Sequence, residues 1–506
     1  MTIGPVTISC PIYLPPKPAT RSKTHKRSVA SIVRRTAGYD AAETGPGNRN
    51  HWANADDLGP NAEADPEVRR TLRKRARYER NNDPHMDGLV KQLANDLIGT
   101  GPRLQLLLDE RHEDAARQVE RSFADWCRAV GYADKLRVMH EVRPTDGESF
   151  GLLVTNPLVA NPVKLDLRVL EADEVDTPYH ELFRKPNSVS GIEFDADGNP
   201  AWYHVLKRHP GETNYWTRQG EYERVAARNV VHWFRPRRPR QARGICEFAS
   251  ALPGGSQTRR YSAAVLSSAE YAASVNAILT SDAPPPDPGA DDEDTPDRDT
   301  TEWAETKYTR DTLLMAPGGM KVHQLEAEQP TGSYVEFVTS KRGEMGRPVL
   351  APLNLVTGDS SSFNFASGRL DHLPYQNGAW IERDRLRSRV LDRVFLAWYA
   401  EAALVGLIPD GLPAVNEWAW DWQWDAFPQL DPVKETDAAE KRLALNLSTL
   451  AEESAARGTN WRDNLKQRAK ELAAWRDELA KFGLTVTVAP PAATSPAVTG
   501  EGVDDV

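Results

Sequence analysis

Between residues 66 and 99 apolar side chains recur every three or four positions, the spacing of a helix face. A break is predicted at Asp83-Pro84, because proline disfavours helical backbone in the residue before it. Beyond the break, Met86, Leu89, Val90, Leu93, Leu97 and Ile98 make one stripe, and Gly99 and Gly101 stop it. The same period predicts a helix over 114–130 that ends at Gly131. An Ala- and Ser-rich run over 256–281, with neither Gly nor Pro, reads as one long helix, and 332–346 as another. A further long amphipathic helix carries Leu386, Val390, Leu391, Val394, Phe395 and Trp398. Two helices are predicted to close the chain. Asn460 caps the second, its stripe is Trp461, Leu465, Leu472, Trp475, Leu479 and Phe482, and Gly483 is its stop.

Over 135–231 the chain reads as β-rich. The segment LDLRVLEADEV has strand composition, and Trp202, His204 and Leu206 alternate with Tyr203, Val205 and Lys207 between an Asp197-Gly198-Asn199-Pro200 turn and a Pro210-Gly211 turn. Strand-like residues resume at Thr312, Leu313, Leu314 and Met315, ahead of a Pro317-Gly318-Gly319 turn. Trp418, Trp420, Trp422 and Trp424 lie two apart, which puts all four rings on one face of a strand and Glu417, Asp421 and Asp425 on the other. Such a ladder is read as core or subunit-interface packing rather than a ligand box. Helix and strand together make the fold class α+β. The segments without periodicity are an extended arm over 1–60, a run of prolines and acids over 283–299, a polar loop over 357–362 and a Pro/Ala/Thr tail over 485–506.

Composition narrows the class. Of 506 residues, 40% are hydrophobic and 27% charged, the balance of a folded globular chain. No stretch approaches the roughly 20 apolar residues of a membrane-spanning helix, and the first residues lack the basic-then-apolar order of a signal peptide. Three widely spaced cysteines, Cys10, Cys127 and Cys246, form neither a disulfide framework nor a metal knuckle. Residues 1–36 hold seven Lys or Arg and no acid; taking those seven from the net charge of −10 leaves −17 on the remainder. A short basic arm is thus joined to an acidic body.

The chain carries none of the common catalytic motifs. The Gly99-Thr100-Gly101-Pro102 turn lacks the Gly-Lys-Ser/Thr ending of a phosphate-binding loop. No histidine pair flanks a glutamate at zinc-protease spacing, and Ser256 lacks the following glycine of a nucleophile elbow. Asp109, Glu110, Glu113 and Asp114 around His112 read as charges suited to a helix start rather than a metal site. Two basic clusters remain: Arg69, Arg70, Arg73, Lys74, Arg75, Arg77 and Arg80 on a helix, and Arg235, Arg237, Arg238, Arg240 and Arg243 in a Pro-broken loop. Both suit phosphate contact or ion pairing between subunits, and in an acidic body the second is expected.

Several segments in order resemble the lambda-type family of phage portal proteins: LRKRARYERNNDPHMDGLVKQLANDLIGTGPRLQ, GESFGLLV, LRVLEADEVDTP, VVHWFRPRRPRQARGICEFASAL, MAPGGMKVHQLEAEQPTGSYVEFV, VTGDSSSFNFASGR, then the Trp ladder, DPVKETDAAEKRL and ESAARGTNWRDNLKQRAKE. The resemblance covers residues 35–484. It implies a dodecameric ring at one capsid vertex with a central channel for double-stranded DNA. It divides the chain into a basic extended arm (1–60), a wing (61–255 and 369–432), stem helices (256–281 and 332–350), a clip with the acidic Pro-rich insertion (282–331), a tunnel-loop region (351–368), crown helices (433–484) and a flexible tail (485–506). Asp359, Ser360, Ser361, Ser362 and Asn364 would line the channel, while the loop arginines with Trp420 and Trp422 would serve subunit contacts. The implied partners are the large terminase subunit, head-completion or adaptor proteins, and the major capsid and scaffolding proteins. The implied place is the virion, with host cytoplasm during assembly. No catalytic residue, metal, cofactor or membrane is implied. The competing classes are a metal-dependent nucleic-acid enzyme and a different minor head protein.

Overall fold

A computed structural model describes residues 45–178, 187–212, 221–274, 278–281, 320–323, 332–361, 363–427 and 432–482. The basic arm over 1–36, the acidic run over 283–299, the strand expected at Thr312–Met315 by sequence, Ser362, Gly483 and the tail lie outside them. The chain divides into two units, 1–59 and 60–506. The described part of the first, from Gly45, is a series of turns in which Trp52 N–H bonds to the Asn48 carbonyl.

Helices α1 (Pro66–Asn82) and α2 (Pro84–Ile98) meet at the predicted break. Asp83 closes the first and caps the second, its side chain accepting from His85 N at 2.9 Å. Strand β1 (Arg103–Leu106) leads to α3 (Glu113–Val130), which stops at Gly131 with φ of 61°. The next segment departs from the expected strand: residues Tyr132–Asp146 form α4. Its buried side chains Tyr132, Leu136, Met139, His140 and Arg143 recur at helical spacing, so the β-rich region begins only after Gly147.

There β2 (Glu148–Thr155) lies between β3 (Leu165–Leu170) and β8 (Val230–Phe234), antiparallel to both. A second antiparallel sheet runs β4 (Ser188–Val189), β5 (Ile192–Phe194), β6 (Pro200–Leu206), β7 (Tyr222–Ala226). Helix α5 (Leu252–Ser274) starts four residues before the expected point and ends earlier. Pro253 sits in its first turn, where a missing N–H costs nothing. Residues Ile278–Ser281 are instead β9, paired antiparallel with β10 (Met320–His323). The chain returns through α6 (Tyr334–Gly346), which packs on α5 through Tyr261 against Phe337, centroids 5.4 Å apart.

The short helix α7 (Leu353–Thr357) precedes α8 (Phe365–Leu386), which continues through a π-helical turn (Arg387–Leu391) into α9 (Asp392–Leu404). Strand β11 (Trp420–Gln423) pairs with β1, Trp422 opposite Leu104 and Trp420 opposite Leu106. Three helices follow where two were expected: α10 (Pro432–Ala444), α11 (Leu450–Ala456) and α12 (Trp461–Ala480). Asn446, in left-handed backbone at φ of 52°, separates the first two.

The main core joins α3, α4, α9 and the β1–β11 ribbon. Phe123 stands at its centre, edge-on to Phe395, Trp398 and Trp422 with centroids 5.1 to 5.9 Å apart. Trp126 stacks beside it and donates Nε1–H to the Leu165 carbonyl at 2.9 Å. Full burial of side chains this large stabilises by about 1.5–3 kcal/mol each.

Candidate functional site

Two buried charge clusters hold the loop between β8 and α5. The first is centred on Glu148, at the start of β2 and fully buried. Its Oε1 accepts from Arg69 Nη1 at 3.2 Å and from Arg243 Nε at 2.9 Å. Its Oε2 accepts from Gly244 N at 2.9 Å and faces His232 Nε2 at 3.1 Å. Burial alone would raise this carboxyl, but Arg243, the His232 bond and Arg69 outweigh it and hold the group well below the usual carboxylate range. Burial pushes His232 down. A neutral ring donating Nε2–H to Glu148 leaves Nδ1 to accept from the Tyr203 hydroxyl, 3.5 Å away. Arg243 spends its other donors on the carbonyls of Val175, Ala172 and Ser190. Backbone fit locks the same place. A methyl group on Gly147 would collide with the Ile245 backbone, and one on Gly244 with the Gly147 carbonyl.

The second cluster is centred on Arg143 of α4, which donates Nη1–H to Glu382 Oε2, forms an ion pair with Glu247, each at 3.0 Å, and lies over Trp233. Arg235 approaches the same two carboxylates at 4.0 and 3.7 Å. These clusters tie the loop to α1, β2, α4 and α8, so α5 departs from a fixed base. Breaking one partner of such a buried pair costs about 3–5 kcal/mol.

The arginines of α1 are placed differently from the expectation of subunit contacts. Arg69, Arg73, Arg77 and Arg80 turn inward and pair within the chain: Arg73 with Asp173 at 2.6 Å, Arg77 with Asp146, Glu171 and Asp173, Arg80 with Glu141 at 2.5 Å. Only Arg70, Lys74 and Arg75 of that cluster are exposed. In the loop, Arg243 is corrected in the same way: at 1% exposure it is an interior residue of its own subunit. Arg237 donates to the carbonyls of Cys246 and Glu247, Arg238 pairs with Glu63, and Arg240 is exposed.

The Trp ladder is internal. Trp418, Trp422 and Trp424 are buried and Trp420 is partly so, all packed on the main core. Trp420 and Trp422 both donate Nε1–H to Asp392 Oδ1 at 2.8 Å. Asp421 is exposed on the strand as expected, whereas Glu417, also exposed, belongs to a 3-10 turn (Val415–Glu417) ahead of it. Asp425 has a further role, accepting Thr100 N–H at 2.6 Å to fasten the end of α2.

Asp359, Ser360 and Ser361 form an exposed turn after Gly358, whose φ is 70°. Asp359 Oδ1 accepts Ser361 N–H at 2.8 Å, which holds the carboxyl low. Asn364 has a structural duty that its place in a polar loop does not reveal. It is the N-cap of α8, accepting Ser367 N–H at 2.8 Å while Ser367 Oγ accepts Asn364 N–H at 3.2 Å. One grouping of metal-ligand type occurs among the described residues, Glu171, Asp173 and His209. Arg73 and Arg77 already bind its carboxylates. No helix among the described residues is long and apolar enough to cross a membrane.

Comparison with known proteins gives these features a family. The chain is 24% identical over 425 residues to the "Probable portal protein" of Halomonas phage phiHAP-1, covering 79% of this chain and 80% of that one. It is similar to a chain from the neck of an empty gene transfer agent particle, at 15% identity over 74% of this chain and 90% of that chain, with a TM-score of 0.44. A chain from the native particle's neck gives 14% identity, 78% and 92% coverage and a TM-score of 0.42. The sequence profile described as phage portal protein, lambda family, matches residues 46–379, more than half of the chain. The chain therefore belongs to the lambda family of phage portal proteins, structural components of the virion and not enzymes.

Proposed function

We propose that the chain is the repeating subunit of a dodecameric ring at one capsid vertex, through which double-stranded DNA is packaged and ejected. Family membership carries this reading. The fold supports it. Helix α5, about 34 Å long at 1.5 Å per residue, leaves a base fixed by two buried charge clusters, and the chain returns through β9, β10 and α6. In the ring these helices form the stem. The segment between them, including the acidic run, is the clip that docks the terminase motor and later the head-completion or adaptor proteins. The paired sheets and the α3–α4–α9 core form the wing, and α10, α11 and α12 the crown, with capsid and scaffolding proteins around them.

The turn at 358–364 is the tunnel loop. Its exposed side chains among the described residues, Asp359, Ser360, Ser361 and Asn364, are short and polar or anionic and offer phosphate no guanidinium, while Phe363 is half-buried. An acidic wall also lacks the counterion-releasing cations that make DNA stick. Deleting residues 359–362 from the phage gene should leave ring assembly intact and abolish DNA-filled heads, counted by electron microscopy and plaque yield. Normal yields of filled, infectious particles would overturn the channel assignment.

A further inference from the structure

Most arginines described above are matched by carboxylates within the chain; those of one cleft are not. This cleft, of about 840 Å³, opens between the β4–β7 sheet, the loop after β8 and the start of α9. Arg228, Arg240, Arg389 and Arg393 line it, and none of the four has a carboxylate partner among the described residues. Arg393 gives one bond, Nη2 to the Ala227 carbonyl at 2.6 Å. Partial burial lowers its affinity for its proton, and the nearby Arg389 charge lowers it further. A half-buried cation without a counter-ion costs free energy that an isolated subunit gains nothing from.

The backbone around the cleft departs from regular geometry in two places. Arg389 lies in the π-helical turn Arg387–Leu391, and such turns are rare and concentrate at functional sites. Arg240 occupies left-handed backbone at φ of 62°, unusual for a non-glycine residue. The two acids on the rim do not neutralise the group. Asp195 accepts the Asp197 and Asn199 amides of its own turn, and both residues are exposed.

We propose that this cleft is a subunit contact: a carboxylate-bearing surface of a second copy of the chain seats among Arg228, Arg240, Arg389 and Arg393. The proposal rests on the ring reading above. A ring requires heterologous contacts, in which one patch meets a different patch on the neighbour. With a net charge of −10, the chain offers the neighbour an acidic surface. Nucleic acid suits the cleft less well. The apolar walls at Val189, Phe194 and Phe234 suit a protein surface and have no use for a phosphodiester.

The test compares the full chain with Arg389→Glu/Arg393→Glu and with Arg228→Glu/Arg240→Glu, the second pair being exposed side chains whose reversal leaves the core intact. Native mass spectrometry at moderate salt should show rings for the wild type. The ring fraction should fall at least about tenfold in both variants, the scale of a 1.4 kcal/mol loss, with melting temperatures near that of the wild-type subunit. Arg389→Lys/Arg393→Lys should keep most of the rings. Wild-type-like rings from both reversals would overturn the proposal and leave the ring reading standing. So would unchanged rings with lost binding to a DNA oligonucleotide, which would make the cleft a nucleic-acid site. A wild type that never forms rings would overturn the ring reading itself.

Discussion

Arg69 and Arg70 are adjacent in sequence and opposite in role. Arg69 is 3% exposed and bound to Glu148, while Arg70 projects into solvent near Glu67. The difference was legible in part. Arg69, Arg73, Arg77 and Arg80 fall at intervals of four, four and three, the period of one helix face, and a face that also holds the fully buried Ala76 looks inward. The partners were not legible, because Glu148 and Asp173 arrive from far along the chain, through the sheet. Glu120 is a residue of another kind that no motif marks. It accepts the Leu106 amide at 2.7 Å, and burial raises its carboxyl to about 7. Its folded pKa lies above the unfolded value, so the neutral form is the one the fold prefers. The stability tied to this group is therefore complete below about pH 4.5 and is lost as pH rises toward 7. Glu120→Gln, which keeps an acceptor for Leu106, should raise the melting temperature at pH 8, with a gain of up to about 3 kcal/mol, and change it little at pH 4.5. An equal effect at both pH values would show that ionisation of Glu120 is not what costs stability.

At the scale of elements, period and punctuation located most helices and the Trp strand. The Asp83-Pro84 break, the Gly131 stop and the Asn460 cap are local signals, and each stands where the spacing put it; of the four-ring ladder only Trp420 and Trp422 lie in the strand, with Trp418 just before it and Trp424 just after. The misses have a common cause. Helix α4 carries His140, Arg143 and Pro144 on its buried side, so a hydrophobicity pattern alone does not see a face there. Helix α5 begins at Leu252 because proline and glycine are tolerated in a first turn, though they look like loop residues. The β9–β10 pair is fixed by a contact between segments some forty positions apart, which no window along the chain contains. The ladder supplies the clearest test at this scale. Trp422 is 3% exposed, edge-on to Phe123 and bonded to Asp392. Trp422→Ala should destabilise the subunit by about 3–5 kcal/mol, read as a lower denaturant midpoint. An unchanged midpoint would mean that the β1–β11 ribbon is not part of the cooperative core.

For the whole molecule, the two buried charge clusters, the glycine pair at Gly147 and Gly244, and the Arg383 bonds to the carbonyls of Leu97, Asp96 and Asp425 tie helices and sheets into one base from which α5 leaves and to which α6 returns. Apolar side chains remain uncovered on that body: Leu370, Leu373 and Ile381 on α8, Leu465 and Trp475 on α12. Exposed apolar stripes of this kind can mark association surfaces, and the proposed ring would draw on them together with the arginine cleft. The central claim is closure of those contacts into a ring. Negative-stain electron microscopy of the purified full chain, at micromolar concentration and moderate salt, tests it directly. The account predicts closed rings of about twelve subunits with a central hole; a preparation of folded monomers or dimers with no rings would contradict it.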